Sequence, residues 1–150
     1  MYLHEPIGYN CHFCAIVAGT EDPRPIVWRD QHCIAIIARF HHPKNLGAIL
    51  LCSLEHFENI YVLPDLIGAH LFGVSKRLAI ALKGALSSDG VSTRQHNEPA
   101  GSQEVWHYHQ HIVPRYEGDD FYAERGSLMP LEQRVQYAER IKAALGKDAL

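Results

Sequence analysis

No stretch of the chain approaches the ~18 consecutive apolar residues that a membrane-spanning helix needs. The start, Met1-Tyr2-Leu3-His4-Glu5-Pro6, has no basic region followed by an apolar one. Both absences predict a cytoplasmic protein without a membrane partner. Basic residues are not in excess either: 14 Lys and Arg are scattered among 17 Asp and Glu, for a net charge of −3. That excludes a general nucleic-acid coat, which would show a basic stripe. Cysteine is sparse. Cys11, Cys14, Cys33 and Cys52 could close two disulfides, but a chain of 150 residues needs no staples and no secretory context accompanies them, so reduced thiols are expected. Repeats, linkers and low-complexity tracts are missing as well, which leaves one domain over residues 1–150. With 47% hydrophobic and 21% charged residues, neither disorder nor a fibrous fold has compositional support.

What the chain does have is histidine. Three of its 11 fall at every second position of one run, His107-Tyr108-His109-Gln110-His111-Ile112-Val113-Pro114-Arg115. If the run is extended from Val105, strand alternation puts His107, His109 and His111 on one face and Trp106, Tyr108, Gln110 and Ile112 on the other. At ~3.3 Å per residue, His107 and His111 stand ~13 Å apart, too far to share one zinc with nitrogens at ~2 Å. The row therefore reads as a catalytic face, where a neutral imidazole can act as nucleophile or proton carrier. The bland alternative is a chance cluster of surface and core histidines.

The rest of the chain supplies a scaffold for such a face. Cys11-His12-Phe13-Cys14 leads into a short apolar turn of helix ended by Gly19. Ile26–Trp28, Cys33–Ala38 and Ala48–Cys52 are short, apolar and often β-branched, with turn-like Arg29-Asp30-Gln31 and Pro43-Lys44-Asn45-Leu46-Gly47 between them, which predicts an antiparallel meander. Pro64-Asp65 starts a long amphipathic helix whose inward set is Leu63, Leu66, Ile67, Val74, Leu78, Leu82 and Ala85. Gly68, Gly73 and Gly84 inside it are expected to allow close approach to the sheet. A strand at Val91–Gln95 precedes the loop Asn97–Ser102 and the histidine strand. A last helix, about 130–145, carries Leu131, Val135, Ile141 and Leu145 inward. The fold class is α+β, a five-stranded antiparallel sheet with one long helix and a C-terminal helix.

These residues resemble a family. His107-Tyr108-His109-Gln110-His111-Ile112-Val113 looks like the motif of the histidine triad (HIT) nucleotide hydrolases and transferases. The Cys11-x-x-Cys14 start, Asp30, His56, Asn97-Glu98-Pro99-Ala100-Gly101-Ser102-Gln103 and Pro114-Arg115 occur in matching order over roughly residues 11–122. The resemblance implies a homodimer and chemistry at the α-phosphate of a purine nucleotide, either a nucleoside phosphoramidate or a dinucleoside polyphosphate. His109 matches the nucleophile that forms a nucleotidyl-histidine intermediate. His111 and Gln103 match donors to the phosphoryl oxygens, Asn97 and Ser102 lie in the loop that approaches the substrate, and Asp30 matches an acid on the ribose hydroxyls. A plain turn residue is the competing reading of Asp30.

Cys11 and Cys14 alone can be half a zinc site, a redox pair or inert thiols. By resemblance to zinc-containing members, His56 and His107 complete a structural Cys2His2 site, with no organic cofactor. The chain departs from the family pattern at Gln110, Glu104, Ser102 and Ala48. Strand parity is expected to turn Glu104 away from the phosphate. An alternative from a different class follows from these departures: a nucleotide-binding sensor or scaffold with weak catalysis.

Overall fold

The computed structural model describes residues 2–123 and 125–146. Its first element, α1 (His12–Val17), is capped by Cys11, whose Sγ accepts the Cys14 N–H at 3.4 Å. Gly19, with φ +76°, follows the last turn as expected. Then come β1 (Ile26–Arg29), β2 (Cys33–Ile37), β3 (Phe40–His41), β4 (Ile49–Ser53), α2 (Asp65–Leu86), β5 (Gly90–Gln95), a single 3₁₀ turn at Pro99–Gly101, β6 (His109–Arg115), β7 (Ser127–Leu128) and α3 (Leu131–Leu145). Five strands form one antiparallel sheet in the order β1-β2-β4-β6-β5. This is the α+β architecture the patterning predicts, with α2 and α3 on one side of the sheet.

Register decides which residues share a face. Ala35, Leu51 and Gln110 align across β2, β4 and β6, as do Ile37, Ile49 and Ile112. Ala35, Leu51, Ile37, Ile49 and Ile112 among them pack under Leu71, Val74, Leu78 and Leu82 of α2 and Ala138 and Ile141 of α3. The opposite face carries Ile34, Cys52 and His109 in one row and Ile36, Leu50, His111 and Arg94 in the next. Among the described helices α1 covers part of it, through Phe13 and Ile16.

Several expectations need correction. Leu66 is 85% exposed, while Leu71 and Ala81 are buried. At ~100° per residue Leu66 lies ~140° round the helix from Leu71, off the buried stripe. In α3 the buried residues are Ala138 and Ile141, with Leu131, Val135 and Leu145 at the half-buried margin. A Cβ added at Gly73 or Gly84 would meet nothing within 4 Å, so those glycines serve no close approach. Gly47 is the tight one: its φ is +85°, and a Cβ would stand 2.8 Å from Leu86 Cδ1 and 2.9 Å from Tyr137 Cδ1. The two-residue ladder of β3 with β7 was not foreseen, because so short a pairing leaves no periodicity to read. Among the described residues no helix is long and apolar enough to cross a membrane.

Candidate active site and metal centre

The histidine strand begins at His109, four residues later than the extension from Val105 predicts. Residues 102–108 are irregular because their hydrogen bonds go elsewhere: Tyr108 N donates to Phe57 O at 2.6 Å, and Gln103 Nε2 donates to Val105 O at 3.0 Å. The three imidazoles therefore divide into two sites.

His107 is fully buried and points toward the N-terminal arm. Its Nδ1 lies 3.3 Å from Cys11 Sγ and 3.6 Å from Cys14 Sγ, and Cys14 Sγ lies 3.2 Å from His56 Nδ1. The four ligand atoms all lie within 4.8 Å of one another. Zn–S bonds of ~2.3 Å and Zn–N bonds of ~2.0 Å in a tetrahedron give edges of roughly 3.3–3.8 Å, close to these separations. The far nitrogens are fixed as metal-bound histidines require. His107 Nε2–H donates to Ser53 O at 2.9 Å, and His56 Nε2 meets Glu5 Oε2 at 2.7 Å. Without a cation, burial and then the neighbouring Cys11 push the Cys14 thiol up to about 11; a divalent ion would draw out its proton. The residues present fit structural zinc, which would tie the arm and α1 to the end of β4.

His109 takes part in a different arrangement. Its Nδ1 lies 2.7 Å from the carbonyl of His107. A carbonyl can only accept, so Nδ1 carries the proton and Nε2 keeps a free lone pair. The ring is held between Phe13 and His111, each with its ring centroid 5.0 Å away. Burial lowers the His109 pKa, and His96 adds to this against the opposing His107 carbonyl. Burial, with help from His109, Arg94 and His96, drops His111 to about 3. Both rings are therefore neutral near pH 7, as a nitrogen nucleophile and a neutral donor require.

These two rings line a cavity of about 550 Å³. Ile36 and Leu50 form its apolar floor, Phe13 and Phe40 its sides, and Arg94 of β5 and His96 just after it stand beside His111. Arg39, His12 and His42 edge the far end, and Ser102, Glu104 and Val105 close the loop side. Ser102 sits there in the left-handed region, with φ 66°. Glu104 lining this wall is a correction: parity does not apply to it, because its segment is not a strand.

The remaining candidates are placed elsewhere. Gln103 is buried with both ends of its amide engaged, Oε1 accepting Glu98 N at 2.9 Å and Nε2 donating to Glu58 O at 2.6 Å. Asn97 Oδ1 accepts Ile60 N at 2.9 Å, and its Nδ2 donates to Gln95 Oε1 at 2.6 Å. Both hold the loop that carries Ser102 without lining the cavity. Asp30 is on the other face of the sheet. It accepts from Trp28 Nε1 at 2.9 Å, His32 N at 2.8 Å, Cys33 N at 2.9 Å and His70 Nε2 of α2 at 2.7 Å. The expected contact with ribose is thus replaced by the turn-residue reading. Asp30, Cys33 and His70 do cluster, but those four donors already saturate the carboxylate and burial raises the Cys33 thiol. Sequence reasoning missed Arg94, His96, Arg39, His12 and His42; only the pairing of β5 with β6 could have revealed Arg94.

Residues 19–118 match the HIT domain family. The chain belongs to the histidine triad family. That makes it a member of a superfamily of nucleotide-binding hydrolases and transferases. It is similar to the protein hit of Bacillus subtilis, 35% identical over 113 residues that cover 75% of this chain and 76% of that one. An adenylylsulfatase of Arabidopsis thaliana is 28% identical over 114 residues, 76% of this chain and 56% of the relative. Among solved structures, a zinc-bound histidine triad protein from Mycobacterium smegmatis superposes with a TM-score of 0.78 at 28% identity, covering 92% of this chain and 94% of that one.

Proposed function

We propose that this HIT protein cleaves a purine nucleotide at its α-phosphate through a covalent nucleotidyl-histidine on His109. The observation that carries the reading is the hydrogen bond from His109 Nδ1 to the His107 carbonyl, which leaves Nε2 as a nucleophile on the wall of a nucleotide-sized cavity. In the first step the Nε2 lone pair attacks phosphorus and the bond to the leaving group breaks. Water then attacks phosphorus and the P–N bond to His109 breaks, which frees the nucleoside monophosphate and restores His109; another acceptor in place of water would carry off the nucleotidyl group. His111 and the Ser102 hydroxyl supply donors to the phosphoryl oxygens, where positioned donors do most of the catalysis of phosphoryl transfer. Gln103 and Asn97 act by holding the loop. The substrate is a nucleoside phosphoramidate or a dinucleoside polyphosphate, met in the cytoplasm.

Zinc held by Cys11, Cys14, His56 and His107 is structural in this account and takes no part in the reaction. The homodimer forms through the unpaired edge of β5 and the neighbouring α2, where Phe72 is 71% exposed. A second reading, a nucleotide sensor with little turnover, draws on Glu104 beside the phosphate position and on the engaged amide of Gln103.

Release of AMP from an adenosine 5′-phosphoramidate and from a diadenosine polyphosphate, by wild type and His109→Ala, separates the two. The proposal expects release from at least one, falling about 10³-fold or more in a variant that still folds. Micromolar nucleotide binding with no release from either substrate favours the sensor.

A further inference from the structure

Two arginines stack over the same aromatic pair, and only one of them is satisfied. Arg115 has its Cζ 4.8 Å from the Phe121 ring centroid, with Nε and Nη2 on Asp119 at 2.6 and 2.8 Å and Nη1 on Ser92 at 3.0 Å. Arg94 has its Cζ 4.6 Å from the Phe121 centroid and 5.8 Å from that of Tyr122. Among the described residues, no carboxylate or carbonyl accepts from its guanidinium, and its Nε is buried without a partner. The other guanidinium on the cavity wall, that of Arg39, is spent on Glu21. Arg94 is the cross-strand partner of His111, one strand spacing of ~4.8 Å across from it on the strand beside that of His109.

Resting on the hydrolase reading above, we propose that Arg94 binds the leaving group and makes this site selective for substrates whose leaving group departs as an oxyanion, a phosphate or sulfate anhydride, over phosphoramidates. The chemistry is asymmetric. When His109 Nε2 bonds to phosphorus and the bridging P–O bond breaks, the electron pair stays on a phosphate or sulfate oxygen, which leaves as a stable anion without a proton. When a P–N bond breaks, the nitrogen must be protonated to leave as an amine. Arginine does not give up its proton near neutral pH, so it can neutralise an oxyanion through a planar fork of donors but cannot serve as the acid an amine needs. Phe121 and Tyr122 pre-orient that fork beside His111, where the group beyond the reacting phosphorus lies.

The test compares kcat/KM on diadenosine triphosphate, adenylyl sulfate and an adenosine 5′-phosphoramidate bearing an alkylamine, for wild type, Arg94→Met and Arg94→Lys. The ratio of anhydride to phosphoramidate activity should fall about 30- to 100-fold in Arg94→Met, the scale of a lost charged hydrogen-bonding pair, and recover in part in Arg94→Lys. A fall on the polyphosphate alone, or on the sulfate alone, identifies which oxyanion the fork serves. Equal losses on all three substrates in folded variants mean that Arg94 only supports the wall, and an unchanged ratio means that it does not meet the leaving group; either overturns the assignment alone. A wild type that releases AMP from none of the three overturns the hydrolase reading and this assignment with it.

Discussion

Leu50 and Leu51 are neighbours on β4, yet Leu51 is sealed under α2 while Leu50 is part of the floor beneath His111. The same division runs across the sheet: Ala35 against Ile36, Gln110 against His109 and His111, Gln95 against Arg94. One face is closed by two helices. The other is covered by a six-residue helix and is otherwise open to a ligand. Because strand alternation assigns odd and even residues to different faces, the packing that stabilises the fold and the side chains that do chemistry sit on the same rigid strands without competing for positions. Among the described residues His109 Nε2 has no hydrogen-bonding partner, and the opposite face supplies the burial that holds its strand.

The comparison can be broken from either side. The largest expected effect falls on the open face, where one small apolar cluster and a candidate zinc hold α1. Cys14→Ser should reduce bound zinc from about one per chain to well below that and cost on the order of 5 kcal/mol of stability. Metal analysis with thermal unfolding checks it, and an unfolding midpoint insensitive to a strong chelator would mean that the thiols are only packed. On the closed face, Leu78→Ala should cost about 3–4 kcal/mol by opening a cavity under α2 while changing nucleotide affinity less than about twofold. A tenfold loss of affinity in that variant would show that the faces are coupled.

Asp30 tests the division directly, since sequence matching assigned it to ribose and the structure puts it on the helix side. Asp30→Ala should cost about 2–3 kcal/mol, because it strips the acceptor from the buried Trp28 and Cys33 donors and the half-buried His32 donor, with little effect on nucleotide binding. Burial opposes its charge, but the His32, Trp28, His70 and Cys33 donors outweigh burial and hold the carboxyl well below its usual range. The folded pKa is thus depressed, so the stabilisation is present above an unfolded pKa of ~3.9 and is lost as pH falls below it. Asp30→Asn should flatten that acid slope in urea melts recorded from pH 5 to pH 2. The smallest effect is a gain: Gly84→Ala, with open space at its Cβ, should add about 0.5–1 kcal/mol.

Much of the fold could be read from the chain because apolar residues and turn residues act locally. The meander, the start of α2 at Asp65 and the alternation around His109 follow from period and punctuation. The site was readable where one strand carries it, and in the ordered cysteines and histidines that meet at one point. It failed where register or irregular backbone decides. Arg94 joins the cavity only because β5 pairs with β6, and Glu104 faces it only because residues 102–108 leave the strand to serve Gln103 and Tyr108. Asp30 precedes β2 in the expected order, but order does not say which face a turn residue turns to.

The most direct test of the central claim is to trap the covalent intermediate. Mixing the protein with an excess of diadenosine triphosphate or an adenosine 5′-phosphoramidate, quenching within the first turnovers and mapping peptides by mass spectrometry should find an adenylyl group on His109 and none in His109→Ala. AMP release without any adduct on His109, or with the adduct on another residue, would contradict the account.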